Sequence, residues 1–315
     1  LVIMSIHEEL GTGDTGEIHF LSASPFEIPH ILNSNDNQEH PVFGELLFPP
    51  NKTRPVPCIV ACHGSMGWRQ HHYEHIRNWV EAGIAVFKLH TFASREVAQI
   101  VEDQMQITHA MMINDAFCAL KLLSTHPEID NDKIAISGWS LGGTTALYTA
   151  WEPIAKVLAP DGKRFTAHLP IYPAAHMIPE INEWGNAPIS ILHGEIDDYT
   201  PVHFVERISE MIRSQNQNVS LKIYPDAHHS FDSNEQLKWL PNAIRLDHRY
   251  VTIDKNGDLW AEKEPGEIIP LNEPHQRLEA FQYAKNIGAH IGKNETARED
   301  ALKQTVRFFT EIFGL

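Results

Sequence analysis

The sequence predicts an α/β fold in which helices cover both faces of a mostly parallel central sheet. Short apolar runs alternate with helical stretches through most of the chain, an arrangement typical of such a sheet. The 315 residues, 42% of them hydrophobic, suffice for a sizeable core. No Pro/Gly/Ser-rich linker divides the chain, so we expect residues 1–315 to form a single domain.

The charge balance argues against several classes of partner. Acidic residues outnumber basic ones, 41 to 25, so the chain should repel nucleic acid and anionic lipid surfaces. No apolar run approaches the roughly 18 to 20 residues that span a bilayer, and the start of the chain lacks the pattern of a signal peptide. We expect a cytoplasmic protein with a small-molecule substrate. A leader removed before Leu1 and the oligomeric state stay open.

The predicted sheet begins with an antiparallel strand at "VFGELLFPP", residues 42–50. Six apolar runs with strand character follow it along the chain: "PCIVACHG" (57–64), "IAVFKLH" (84–90), "KIAISG" (133–138), "FTAHLPIY" (165–172), "PISILHG" (188–194) and "VSLKIYP" (219–225). We expect no disulfide among Cys58, Cys62 and Cys118. The first two lie on one predicted strand, roughly 13 Å apart.

Helical periodicity marks two long stretches. Residues 101–124 place apolar side chains on one helix face and end before Pro127, which would break the helix; these side chains are Ala110, Ile113, Phe117 and Leu120. The end of the chain repeats the pattern with Leu302, Val306, Phe309 and Phe313. We therefore expect a C-terminal helix that packs on the sheet.

Residues 232–290 interrupt this rhythm. They include "RYVTIDKNGDLWAE", two strand-like runs around Asn256 and Gly257, which predict a β-hairpin. A calcium loop is disfavoured, because glycine stands fourth from Asp254 where an EF-hand needs it sixth. We expect an insertion near the sheet edge or over the active site.

Ser140 is the candidate nucleophile. It stands in "AISGWSLGG", residues 135–143, between Gly138 and Gly142, after a predicted strand and before a plausible helix. This is the context of a G-x-S-x-G nucleophile elbow, which α/β-hydrolases use to expose a serine above the sheet. Glycine-rich turns before helices are common, so the pattern alone also fits a small residue in a tight turn.

Two later stretches supply an acid and a base in the order that a Ser-Asp-His triad needs. "EIDDYTP" follows the strand ending at Gly194 and offers Asp197 or Asp198, and "DAHHSF" follows the last predicted strand and offers His228 or His229. Both stretches lie at the carboxyl ends of predicted parallel strands. Pattern alone does not separate adjacent carboxylates.

Several ordered motifs together resemble the dienelactone hydrolase family of α/β-hydrolases. They are "CHGSMGW", "VEDQMQ", "HPEIDNDKIAISGWSLGG", "LHGEIDDYTP", "YPDAHHSFD" and "NETAREDALKQTVRFF", which cover most of residues 42–231 and the C-terminus. The resemblance implies Asp197 as the acid, three residues after glycine in G-x-x-D. It also implies His229 as the base, in a form like A-x-H-x-F.

The chemistry of such a triad also calls for an oxyanion hole. Its expected donors are the backbone N–H of Leu141 and that of Ser65 or Met66 in the "HGSMG" loop. The chain departs from dienelactone-cleaving family members twice, with Ser140 in place of their cysteine and Gly64 near the place of their glutamate.

These departures favour a serine esterase that cleaves a small carboxylic ester or lactone through an acyl-enzyme, without cofactor or metal. Alternatives are a prolyl oligopeptidase-like peptidase, a cofactor-free haloperoxidase or lyase on the same fold, and a non-catalytic binding protein that retains the fold.

Other polar and aromatic residues near these motifs have two readings each. His71 and His75 are spaced to bind zinc on a predicted helix, but we interpret them as a solvated helix surface. Arg95 either binds a substrate carboxylate or pairs with the acidic surface. Trp68 and Trp139 either wall the substrate pocket or pack in the core.

Overall fold

The structure is a computed structural model that describes residues 5–33, 38–50, 55–245, 249–284 and 286–315. The strands of this part are β1 (Gly16–Ala23), β2 (Glu39–Leu47), β3 (Val56–Cys62), β4 (Ala85–Leu89), β5 (Ile129–Trp139), β6 (His168–Ile171), β7 (Met177–Pro179), β8 (Ile189–Gly194), β9 (Val219–Tyr224), β10 (Lys238–Arg245), β11 (Val251–Ile253), β12 (Leu259–Glu264), β13 (Glu267–Pro270) and β14 (Asn286–Ile291). The helices are α1 (Ile28–Leu32), α2 (Gln70–Glu81), α3 (His109–Leu123), α4 (Leu141–Tyr148), α5 (Glu152–Leu158), α6 (Val202–Arg213), α7 (Pro274–Ala284) and α8 (Glu295–Phe313).

The central sheet has eight strands in the order β1-β2-β4-β3-β5-β6-β8-β9. Strand β2 runs antiparallel to both β1 and β4, and the strands from β4 to β9 in this order pair in parallel. The predicted fold class is confirmed, and so is the antiparallel entry strand. Strand β1, which pairs along the outer edge of β2, is not among the predicted strands.

Helices pack on both faces of this sheet. On one face, α3 buries Phe117 and Leu120 in the larger apolar cluster. On the other, α2 and α8 bring Trp79, Phe309 and Phe313 into a second cluster. The prediction of a C-terminal helix packed on the sheet is confirmed. Because the central strands are covered on both sides, β3, β4 and β8 are buried along their whole length.

The prediction of a helix over 101–124 is wrong at its beginning, because α3 starts at His109. Thr108 caps it, with a side chain that accepts a hydrogen bond from the Met111 backbone N–H. The residues before the cap form local turns instead, in which the side chain of Asp103 accepts from the backbone N–H of Met105.

Residues 238–291, called here the 238–291 segment, form two small sheets and α7. Strands β10 and β14 pair antiparallel, and β11, β12 and β13 extend β7 into a four-stranded sheet. The hairpin between β11 and β12 is closed by Asp254, whose carboxylate accepts from the backbone N–H groups of Asn256 and Asp258. Residues 246–248 and 285 lie outside the described part.

All three cysteines are free; Cys58 and Cys62 are buried, and Cys118 is half-buried. Among the described helices, none combines the length and the apolar character needed to cross a bilayer.

Candidate active site

Ser140 stands on a sharp turn between β5 and α4. Its backbone has φ 55° and ψ −113°, a left-handed conformation that non-glycine residues rarely adopt. A methyl group at Gly142 would lie 2.0 Å from the carbonyl oxygen of Cys62, and one at Gly138 would lie 2.3 Å from that of Gly142. Glycine is therefore required at both positions, because backbone from β3 and from the next helical turn occupies that space.

Two hydrogen bonds join Ser140, His229 and Asp197. The Ser140 hydroxyl lies 2.8 Å from His229 Nε2, and His229 Nδ1 lies 2.7 Å from Asp197 Oδ2. The Asp197 carboxylate accepts a hydrogen bond from Nδ1–H of His229. This leaves Nε2 unprotonated and able to accept the serine proton. The rings of Tyr172 and Tyr199 pack against the imidazole, with centroids 4.6 Å and 4.8 Å from its own.

Asp197 is buried and fully hydrogen-bonded. Its Oδ1 accepts from the backbone N–H groups of Tyr199 and Thr200 at 2.9 Å and 2.8 Å, and Oδ2 accepts from the Thr200 hydroxyl at 3.0 Å. Burial raises the pKa of this carboxyl, but the His229 imidazole and the hydrogen bonds outweigh it, so the net pKa is lowered. The carboxylate therefore stays ionised at neutral pH beside Nδ1 of His229.

Asp198 and His228, the chain neighbours of Asp197 and His229, contact His290 instead of Ser140. Asp198 accepts at 2.7 Å from Nδ1 of His290 on β14 and at 2.9 Å from the His290 backbone N–H. The ring of His228 lies beside that of His290, with centroids 5.1 Å apart. Neither neighbour contacts Ser140 in the hydrogen-bond pattern, so the geometry favours Asp197 and His229 over the two alternatives.

The loop after β3 lies directly against Ser140. A methyl group at Gly64 would lie 3.3 Å from Cβ of Ser140. The loop is closed by a 3.0 Å hydrogen bond from Gly67 N to the Gly64 carbonyl, which also accepts from His63 Nδ1 at 2.9 Å. Burial lowers the pKa of His63 to about 4, so this imidazole is neutral at pH 7. Ser65, Met66 and Leu141 all line cavities that reach Ser140.

The reading of His71 and His75 as a solvated surface is wrong, because both imidazoles are buried beneath α8 and the loop after β9. His75 Nε2 donates to Asp232 Oδ2 at 2.9 Å, and His71 Nε2 lies 3.7 Å from Asp232 Oδ1. Asp232 also accepts from Tyr172 at 2.8 Å and from the Trp139 indole at 3.1 Å. Burial raises the pKa of Asp232, but His71 and these donors hold it far below its usual value.

This buried Asp232 cluster was missed by sequence reasoning, although the residue ends the motif "YPDAHHSFD". It fixes the indole next to Ser140 and the phenol that packs on His229. Thr200, the hydroxyl between Asp197 and His229, was missed as well, since threonine in "DDYTP" carries no distinguishing signal.

The three tentative pocket residues differ in placement. Trp139 is fully buried, stacks on His72 with ring centroids 4.3 Å apart and lines the small cavity at Ser140. Trp68 packs edge-on against His63 and Trp139. Arg95 forms a bidentate ion pair with buried Asp115, at 2.7 Å and 2.9 Å, and its other N–H groups donate to Ser24, Thr91 and Ala23. All five donors of Arg95 are occupied, so it ties β1 to α3.

A cavity of about 160 Å³ extends from Ser140 under the 238–291 segment. Its end at Ser140 is lined by Leu141, Thr144 and Tyr199. Its far walls are mostly apolar and come from the 238–291 segment: Ile244, Tyr250, Val251, Leu259, Ala261, Leu271, Ala280 and Phe281. Such a cavity would shield a bound molecule from bulk water and limit the size of the group it accepts.

A buried ion pair closes one side of this cavity. Glu27 binds His109 Nε2 at 2.7 Å and also Arg277 of α7. Burial raises the pKa of Glu27, but His109 and Arg277 lower it to about 2. The ion pair thereby fastens α7 of the 238–291 segment to the start of α1.

The sheet order, with a serine on the turn after β5, defines an α/β-hydrolase. Residues 43–252 match the sequence profile of the Dienelactone hydrolase family, and the chain belongs to this family. Family membership assigns it to the carboxylic ester hydrolases.

Two curated relatives are described as "Putative carboxymethylenebutenolidase". The one from Methylorubrum extorquens is 23% identical over 201 residues, which cover 59% of this chain. The chain spans 66% of that relative's length, slightly under two thirds. The one from Yersinia pestis is 23% identical over 233 residues, which cover 70% of this chain and 84% of that relative. A solved dienelactone hydrolase-like promiscuous phosphotriesterase from metagenomic libraries is 16% identical with a TM-score of 0.55, covering 95% of this chain and 99% of that one, a likeness of fold.

Proposed function

We propose that the chain is a serine esterase that cleaves small carboxylic esters or lactones through a Ser140–His229–Asp197 triad. The observation that carries the proposal is the pair of hydrogen bonds from Ser140 Oγ to His229 Nε2 at 2.8 Å and from His229 Nδ1 to Asp197 Oδ2 at 2.7 Å. A serine hydroxyl is a weak nucleophile until a positioned base removes its proton.

In this proposal Ser140 Oγ attacks the ester carbonyl carbon while His229 Nε2 takes the proton. Asp197 holds the imidazole tautomer and stabilises the imidazolium. The backbone N–H of Leu141, with that of Ser65 or Met66, donates to the oxyanion. His229 then protonates the leaving alcohol, and water hydrolyses the acyl-enzyme by the same proton transfers in reverse. Each of these steps uses groups that the chain itself supplies.

The cavity beneath the 238–291 segment supports a small substrate with an apolar acyl or alcohol part. We place residues 1–315 in one domain, with residues 232–290, most of which belong to the 238–291 segment, as an insertion that covers the site. Trp139 belongs to the substrate pocket in this proposal, whereas Arg95 and Trp68 serve packing.

The test compares wild type with Ser140→Ala on p-nitrophenyl acetate, butyrate and hexanoate and on peptide p-nitroanilides. We expect ester hydrolysis to fall at least about 10³-fold in the variant, with thermal stability retained. A fluorophosphonate probe should label Ser140 alone. Equal ester rates in the two proteins would refute the nucleophile. Faster cleavage of anilides than of esters would favour the peptidase, and absence of labelling would favour a binding protein.

A further inference from the structure

The side chains of Asp198, His228 and His290 meet at the rim of the candidate active site. One ligand atom from each lies within 4.8 Å of the other two. Across the residues that the structure describes, this is the group of histidine, cysteine and acidic side chains that converges closely enough to hold an ion. We propose that these three residues form a binding site for one divalent transition-metal ion of the zinc type.

The chemistry of the donors selects the kind of ion. Two imidazoles and one carboxylate are the donor set that Zn²⁺, Ni²⁺ and Cu²⁺ prefer, whereas Ca²⁺ and Mg²⁺ prefer oxygen ligands. Three protein ligands leave a fourth position to a water molecule. Around a tetrahedral zinc ion the ligand atoms lie about 3.3 Å apart, so small side-chain rotations would bring the three ligands into place.

His228 supplies a second observation. Its Nδ1 is shielded from solvent and has no hydrogen-bond partner within the described ranges. A buried nitrogen without a partner is costly to leave unsatisfied. Movement of this ring toward an ion shared with His290 would relieve that cost. One imidazole nitrogen would then bind the ion, and the other would be free to form a hydrogen bond.

The ion can reach the site from solvent. The His290 and Asp198 side chains are 40% and 35% exposed. In the metal-free protein, a proton on His290 Nδ1 bridges to Asp198 Oδ2 at 2.7 Å. Binding of the ion at Nδ1 would leave the neutral imidazole with its proton on Nε2, the other tautomer.

The three ligands come from three segments that surround the proposed triad. Asp198 directly follows Asp197, His228 directly precedes His229, and His290 lies on β14 of the 238–291 segment. A bound ion would therefore clamp β14 to the two loops that present the acid and the base. Its role is to stabilise these loops, and it takes no part in the ester chemistry. This departs from the expectation of no metal.

The experiment uses the untagged full chain after treatment with EDTA and gel filtration. Calorimetric titration with Zn²⁺ should give one ion per chain, with a rise in the thermal unfolding midpoint. His290→Ala should bind at least about tenfold more weakly and lose the rise, and Asp198→Asn, which keeps the side-chain size, should behave alike. His275→Ala removes an exposed histidine of α7 outside the cluster and should bind as wild type does.

A fluorescence readout locates the ion. The Trp239 ring lies 4.7 Å from that of His290, so Ni²⁺ or Cu²⁺ at the site should quench its emission, and Trp239→Phe should remove this part of the quenching. Equal zinc affinity in wild type and His290→Ala, or Ca²⁺ binding as tight as Zn²⁺, would overturn the site. The Ser140→Ala variant should still bind zinc, so failure of the esterase proposal leaves this result readable.

Discussion

The part of the chain that carries the hydrolase motifs and the 238–291 segment position their residues by different means. In the first, backbone touches backbone: there is no space for a side chain at Gly138 or Gly142, and the close approach fixes Ser140 above the sheet. In the second, side-chain contacts hold the segment in place: its apolar residues line the cavity, and Arg277 pairs with Glu27. Backbone around Ser140 therefore leaves no room for larger residues, whereas the cavity walls are formed by side chains.

The strongest test of the motif-bearing part is Asp197→Asn. We expect the rate of ester hydrolysis to fall about 10³- to 10⁴-fold, because the amide no longer stabilises the imidazolium or fixes its tautomer. The rate is measured by stopped-time assays on p-nitrophenyl acetate. Glu195→Gln also replaces a carboxylate by an amide, on the same loop but at an exposed side chain. Its rate of ester hydrolysis should stay within about twofold of wild type. Equal losses in the two variants would contradict the role of Asp197.

The contrast in backbone packing is tested by alanine at two glycines. Gly142→Ala should lower the free energy of unfolding by more than about 3 kcal/mol, since its methyl group would lie 2.0 Å from the Cys62 carbonyl oxygen. Gly266→Ala, on the hairpin between β12 and β13, has no neighbour within 4 Å and φ +84°, so it should cost about 1–2 kcal/mol. Urea unfolding measures both, and a larger loss for Gly266→Ala would break the comparison.

The ion pair that fastens the 238–291 segment should make stability depend on pH. The pKa of Glu27 is about 2 in the folded protein against an ordinary value of 4.5, so its contribution is complete above about pH 5 and declines as pH falls toward 2. Glu27→Gln should therefore be less stable than wild type at pH 7, and the difference should shrink by about 1 kcal/mol by pH 4.

The measurement for Glu27 is urea unfolding of both proteins at pH 7 and pH 4. Glu279→Gln makes the same substitution at an exposed position on α7 and should show a difference from wild type that pH does not alter. A difference between Glu27→Gln and wild type that is constant with pH would show that burial, and not ionisation, governs this residue.

The smallest expected effect concerns the walls. Phe281→Ala should enlarge the cavity and raise kcat/KM for p-nitrophenyl hexanoate relative to acetate by roughly fivefold, since a few methylene groups gain room. The rate with acetate should hardly change. Phe308→Ala, on α8 and away from the cavity, is the matched control. An unchanged ratio for Phe281→Ala would mean that the substrate does not enter this cavity.

The sequence predicted what local chemistry dictates. Glycine spacing around Ser140 is readable because it belongs to a turn at the end of a strand, where few residue types fit. The order of the candidate acid and base motifs is readable for the same reason, and their roles stay a prediction. The same holds for the strands buried on both faces, whose continuous apolar runs are distinctive. Each of these features leaves a local pattern in the sequence, even at Gly142, where the reason for glycine is the close approach of β3.

Features set by distant contacts were not readable. His71 and His75 have the spacing of a polar helix face, and only Asp232, some 157 residues later in the chain from His75, makes burial of that face favourable. Arg95 equally could not be assigned before Asp115 was known to lie against it. The predicted helix begins too early because residues with good helix propensity precede Thr108, whose side chain caps α3.

Strand β14 pairs at its end with the loop that carries His229, the proposed base. Ile291 forms a bridge with His229, and the Gly292 N–H donates to the His229 carbonyl at 3.0 Å. The segment that walls the cavity thus shares main-chain hydrogen bonds with the residue that would move the proton. In the proposed mechanism, selectivity and turnover would therefore be mechanically joined. A graft of residues 238–291 from a relative would transfer its preference for substrate only if the junction at Gly292 came with it.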